Sequence, residues 1–187
     1  QAMLHSPQVK AMVLLNNEPA DDCAHAYEAM KSLATKDMVI TLSPFKANMA
    51  FSDVLLPIAP FTETSGTFVN AEGRVQGFHA VVKPLGETRP AWKVLRVLAN
   101  LLGLPDFDFD SSQDVLRLAP ALSKPGVTHI PADLMSNATQ AAMDASPVQH
   151  VPVVAGIYAL DGLVRRASSL QMTADARGQG AAQEVAA

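Results

Sequence analysis

The stretch Lys10-Ala-Met-Val-Leu-Leu-Asn-Asn-Glu-Pro-Ala-Asp-Asp22, followed by the apolar runs Met38-Val-Ile-Thr-Leu42 and Val54-Leu-Leu-Pro-Ile58, decides the fold. Its opening run, residues 10–16, is short and mostly apolar and runs into Asn16-Asn17-Glu18-Pro19, which is the pattern of a buried strand entering a turn. Asp21 or Asp22 then offers a cap, and Ala26, Met30, Leu33 and Ala34 recur at helical spacing up to Thr35-Lys36-Asp37, so a helix is predicted there. Residues 38–42 read as a second strand. Ser43-Pro44 breaks it, a short helical or loop passage follows, and residues 54–58 read as a third strand. The order β-α-β-(short α)-β, with near-continuous apolar strands, predicts an α/β fold: a short parallel sheet flanked by helices and covered on both faces.

Downstream the texture changes. Thr67-Phe-Val-Asn70 and Arg74-Val-Gln-Gly-Phe78, separated by Ala71-Glu72-Gly73, predict a β-hairpin over 67–78 with Gly73 in the left-handed position of its turn. Thr88 is placed to cap a helix over 88–102 whose apolar stripe is Ala91, Trp92, Leu95, Leu98 and Leu102, with Pro90 in its first turn and Gly103-Leu-Pro105 ending it. Ser111 caps a brief helix through Leu118, Asp133 to Met143 reads as a further helix, and Val148 to Tyr158 reads as an extended segment. Domain limits follow from this texture: an α/β domain over 1–104, an irregular C-terminal extension over 105–172 packed on it, and a disordered Ala/Gly/Gln-rich tail over 173–187.

Composition removes several functions. The 187 residues carry 14 Lys+Arg against 18 Asp+Glu, a net charge of −4, which argues against a nucleic-acid partner. No apolar run reaches the ~20 residues of a membrane-spanning helix. The N-terminal residues lack the regions of a signal peptide, and the chain reads as a cytosolic piece of something longer. Cys23 is the one cysteine, so a Cys-based metal site or iron–sulfur cluster is not expected, and it reads as a small packing residue. The five histidines, His5, His25, His79, His129 and His150, lie far apart without ligand spacing. Neither a dinucleotide fingerprint nor a phosphate loop is present, and Glu18 in the turn after the first strand discourages a phosphate.

The dense polar run from Glu63 to Gln76 admits two readings. In a catalytic one, Glu63 and Glu72 serve as acid and base with Arg74 as an anion clamp. In a structural one, Gly66 and Gly73 make turns, Asn70 caps the turn, and Arg74 pairs with Glu63 or Glu72. The second explains every position without a substrate. No catalytic, cofactor-binding or metal-ligating residue is therefore assigned.

Ser52-Asp-Val-Leu-Leu-Pro57, Phe61-Thr-Glu-Thr-Ser-Gly-Thr-Phe-Val-Asn-Ala-Glu-Gly-Arg-Val-Gln76, Pro84-Leu-Gly-Glu87 and Trp92-Lys-Val-Leu95 together resemble the molybdopterin-oxidoreductase superfamily. Within it the chain is most similar to the family of the large iron–sulfur subunit in the peripheral arm of bacterial NADH-quinone oxidoreductase, respiratory complex I. Asp161-Gly-Leu-Val-Arg165-Arg166-Ala-Ser-Ser-Leu-Gln171 resembles that family's C-terminal end. The resemblance covers residues 9–104 and 157–174. It implies a Rossmann-like piece of the superfamily fold and a non-redox structural module of that peripheral-arm subunit. The parent carries [2Fe–2S] and [4Fe–4S] clusters outside this sequence and works in electron transfer from NADH to quinone coupled to proton translocation. Implied partners are other peripheral-arm subunits, with no nucleic acid, no membrane insertion, no cofactor in this fragment and no small-molecule ligand. The implied place is the cytoplasmic side of the bacterial inner membrane. The alternative is a fragment of a catalytic molybdopterin enzyme of formate dehydrogenase or nitrate reductase type, with Glu63, Asn70 and Arg74 lining the approach to the pterin.

Overall fold

The structure, a computed structural model, describes residue 4 and residues 6–119, 127–135 and 156–178. Strands β1 (Ala11–Leu15), β2 (Met38–Ser43) and β3 (Val54–Pro57) form one sheet in the order β1-β2-β3. They run parallel. The Asp37 N–H donates to the Lys10 carbonyl at 2.8 Å where β2 begins beside β1, and Ile58 N–H donates to the Ser43 carbonyl at 3.3 Å where β3 ends beside β2. The three apolar runs thus become the three predicted strands, and the passage after Ser43-Pro44 contains a 3-10 turn, Ala47–Ala50.

Two compact units divide the chain, one of Gln1–Ile40, Ala47–Val54 and Ala142–Ala187, the other of Thr41–Lys46 and Leu55–Ala141. The first has its core in Leu14, Leu33 and Val39, with Leu4, Met12, Met30 and Phe51 packed around them. The single helix expected after the first turn is two here, α1 (Pro19–Asp22) and α2 (Ala26–Leu33). Neither aspartate caps α2. The Asp22 carboxylate accepts from the Glu18 N–H at 2.7 Å, and Cys23 takes an extended φ of −99° that ends α1. Coverage of β1 also differs from expectation. As an edge strand it buries Leu14 alone, while Val13 is 50% and Leu15 45% exposed.

In the second unit, β4 (Gly66–Val69) pairs antiparallel with β5 (Val75–Phe78) in the register Gly66↔Phe78 to Val69↔Val75. Gly73 has φ +82° in the turn, as its sequence position required, and Asn70 closes that turn by accepting from the Glu72 and Arg74 N–H groups at 3.1 and 2.8 Å. A Cβ on Gly73 would meet the Met135 sulfur at 2.5 Å and the Ile130 carbonyl at 2.8 Å. Helix α3 spans Ala91–Leu101, within the predicted 88–102. Its cap differs, because the Thr88 hydroxyl donates to the Leu85 carbonyl and Pro90 begins the helix without a side-chain cap. Ala99 is its buried residue, whereas Leu102, expected in the stripe, is 66% exposed where Gly103 (φ +69°) reverses the chain.

Helix α4 (Ser112–Arg117) starts with the predicted Ser111 cap, completed by Asp114 into a capping box. Of the helix expected over 133–143, the described part is a 3-10 turn, Ala132–Met135, and residues 136–143 lie outside the described residues, as does 148–155 of the extended segment. Residues 157–159 form a turn, followed in the first unit by α5 (Gly162–Arg166) and α6 (Ser168–Gln171). In the tail expected to be disordered, residues 174–178 are helical, with the Thr173 hydroxyl accepting from the Ala176 N–H.

Candidate functional site

The turn that leaves β1 lies at the carboxyl end of an edge strand, in a sheet whose described order β1-β2-β3 has no reversal there of the kind at which α/β folds receive ligands. Asn16 enters it at φ +49°, a left-handed conformation that asparagine tolerates better than most residues. The chain then folds over Glu18, whose carbonyl accepts from the Asp21 and Asp22 N–H groups at 2.9 and 2.8 Å. Three carboxylates gather there, and the Glu18 side chain is only 6% exposed.

Arginines from α5 neutralise them. One terminal nitrogen of Arg165 lies 3.0 Å from Glu18 Oε2 and 3.7 Å from Asp21 Oδ2, the other donates to Asp22 Oδ1, and Nε donates to the Ala159 carbonyl at 2.6 Å. Arg166 reaches Glu18 Oε1 at 3.0 Å and donates to the Gly162 carbonyl at 2.8 Å. The planar guanidinium lets the two terminal nitrogens of Arg165 reach two different carboxylates, Glu18 and Asp22, at once, which the compact ammonium of a lysine does not. Burial by itself lowers the Arg165 pKa, but the hydrogen bond and charge of Asp22, with Asp21 and Glu18, outweigh it and raise the group above its ordinary value. The segment is held in shape locally. Asp161 caps α5 by accepting from the Leu163 and Val164 N–H groups at 2.8 and 3.3 Å, and Gln171 donates to the Tyr158 and Val164 carbonyls at 2.9 and 2.8 Å.

The polar run 63–76 does not assemble as a catalytic pair. Glu63 lines a cleft of about 510 Å³ in the second unit, with Ser65, His79, Arg89, Trp92 and Lys93 among its other walls, and accepts from the Leu85 N–H at 2.9 Å. Asn70, Glu72 and Arg74 do not line that cleft. Arg74 pairs with Glu72 at 3.9 Å, with both side chains largely exposed. Among the described residues, no group of three or more His, Cys, Asp or Glu is arranged to hold a metal ion. The site that sequence reasoning missed is the Arg165–Glu18 pair, 147 residues apart. Its only trace in the sequence is an Arg-Arg doublet and, far away, three clustered acids.

Residues 1–101 match the family model described as molybdopterin oxidoreductase. The protein named "Probable oxidoreductase YjgC" of Bacillus subtilis (strain 168) is 34% identical over 133 residues, 67% of this chain and 13% of the relative. "Putative formate dehydrogenase SAB2186c" of Staphylococcus aureus (strain bovine RF122 / ET3-1) is 34% identical over 99 residues, 51% of this chain and 10% of the relative. Among solved structures, acetylene hydratase from Pelobacter acetylenicus superposes with a TM-score of 0.52 at 24% identity, over 62% of this chain and 17% of that one, a likeness of fold. This chain therefore spans a small part of each of these three proteins. The family match runs from ahead of β1 to the last residue of α3, more than half of the sequence, and on that ground the chain belongs to the molybdopterin oxidoreductase family.

Proposed function

We propose that this chain is a non-redox structural module of the large iron–sulfur subunit of NADH-quinone oxidoreductase, held among other peripheral-arm subunits on the cytoplasmic side of the bacterial inner membrane. One observation carries the reading: the turn leaving β1 is acidic and already filled by the chain's own arginines. The family name implies a molybdenum–pterin cofactor. The residues of this turn do not fit a phosphate-bearing pterin, because an anion arriving there meets Glu18, Asp21 and Asp22, and Arg165 and Arg166 are paired to those carboxylates. The resemblance of the polar run and of the 161–171 segment to that peripheral-arm family supports the finer assignment. Among the described residues no helix is long and apolar enough to cross a membrane.

A second reading rests on the relative named as a formate dehydrogenase: the chain is then a fragment of a catalytic molybdopterin enzyme. Of the residues that this reading places near the pterin, Glu63 lies in the cleft of the second unit, while Asn70 and Arg74 sit at the hairpin turn. Metal analysis of the whole parent protein, isolated from its own cells, separates the two. Iron without molybdenum, in a complex that oxidises NADH, is the expected result. Stoichiometric molybdenum with formate- or nitrate-linked activity would establish the second reading instead.

A further inference from the structure

The acidic turn has an occupant, and the fit is closer than an exposed ion pair requires. Both Glu18 oxygens are engaged at 3.0 Å, by Arg165 and Arg166, and the Arg165 side chain is 13% exposed. All three guanidinium nitrogens of Arg165 have a partner: the Ala159 carbonyl, Glu18 and Asp22. Surface ion pairs ordinarily contribute little, whereas a forked pair shielded from water holds its geometry. The segment presenting the two arginines is itself rigidified by the Asp161 cap and the two Gln171 hydrogen bonds.

We propose that residues 156–178 act as an arginine plug in cis. Arg165 and Arg166 are the resident ligands of the Glu18–Asp22 turn at the carboxyl end of edge strand β1. The turn is thus a guanidinium site, selective for a fork over an ammonium and closed to anions. The plug belongs to this chain whichever oxidoreductase its parent is.

The full chain carrying Arg165→Gln and Arg166→Gln empties the turn. Amide hydrogen exchange at residues 17–22 and 162–171 is expected to quicken together, by at least about tenfold. A fluorescein-labelled peptide with the wild-type sequence 156–178 should then bind this variant and not the wild-type chain, whose turn is taken. Unchanged exchange at 17–22, or equal peptide binding by both chains, overturns the proposal. Arg165→Lys keeps the charge and, being the milder change, covers the case in which the double variant fails to fold. It too is expected to release residues 162–171, since an ammonium cannot reproduce the fork; full wild-type protection in Arg165→Lys would refute the guanidinium site.

Discussion

Arg165→Met tests the ion-pair cluster most directly, because methionine keeps an apolar stem in the same space and removes only the fork. Glu18 is left 6% exposed with Oε2 bare, while Arg166 stays on Oε1. Removing one partner of a buried pair costs ~3–5 kcal/mol. Two features of this site bring the loss to or below the bottom of that range: the surviving Arg166 contact, and the 24% exposure of the Asp22 side chain, which lets that carboxylate rehydrate. A loss of about 2–3 kcal/mol follows. With a urea slope of roughly 2 kcal/mol/M, the midpoint falls by about 1–1.5 M. Urea unfolding of the full chain, followed by the amide NMR signals of the buried residues Leu14 and Val39, reports the first unit. Pairing the change with Glu18→Gln in a double-mutant cycle isolates the interaction, and Arg165→Met should cost less than half as much once the buried charge is gone. A midpoint shift below roughly 0.25 M, or additive effects in the cycle, would show that the arginine does not hold the turn.

Gly73→Val forces a β-branched residue to φ +82° and drives its Cβ against the Ile130 carbonyl, so thermal melting should register a loss above about 2 kcal/mol. Ser111→Ala removes the hydroxyl that accepts from the Asp114 N–H at 3.2 Å and should cost about 1 kcal/mol, read by urea titration. Asp114 is held below its ordinary value of 3.8, chiefly by the Ser111 hydroxyl, and also by the Asp110 and Ser111 N–H groups and Arg117. Because the folded pKa is the lower one, this stabilisation is complete above about pH 3.8 and fades as pH falls through the folded value; Asp114→Asn should flatten the acid limb of the α4 signal. Trp92 is half-buried beside Lys93, whose ammonium lies 5.3 Å from the ring. Trp92→Ala should therefore cost about 1–3 kcal/mol in urea titration, below the ~3–5 kcal/mol of a fully buried aromatic.

What the sequence made legible was local. The three strands, the hairpin turn at Gly73, the Asn70 closure of that turn and the Ser111 cap each depend on residues within a few positions of one another, and backbone sterics and side-chain periodicity write them directly into the chain. The two helix caps misplaced at Asp22 and Thr88 show where that logic stops. Both side chains were locally suitable, and both bond elsewhere, Asp22 to the Glu18 N–H and Arg165, Thr88 to the Leu85 carbonyl.

The sequence by itself therefore determined an α/β piece of the molybdopterin-oxidoreductase fold and the acidity of its first turn. Only the tertiary structure decided what that acidity does. Glu18 and Arg165 are 147 residues apart, and a charge has no period along the chain that could announce its distant partner. The two meet because Ala159–Gln171 folds back within the same unit, and once water is excluded a lone carboxylate at Glu18 is too costly to leave unpaired.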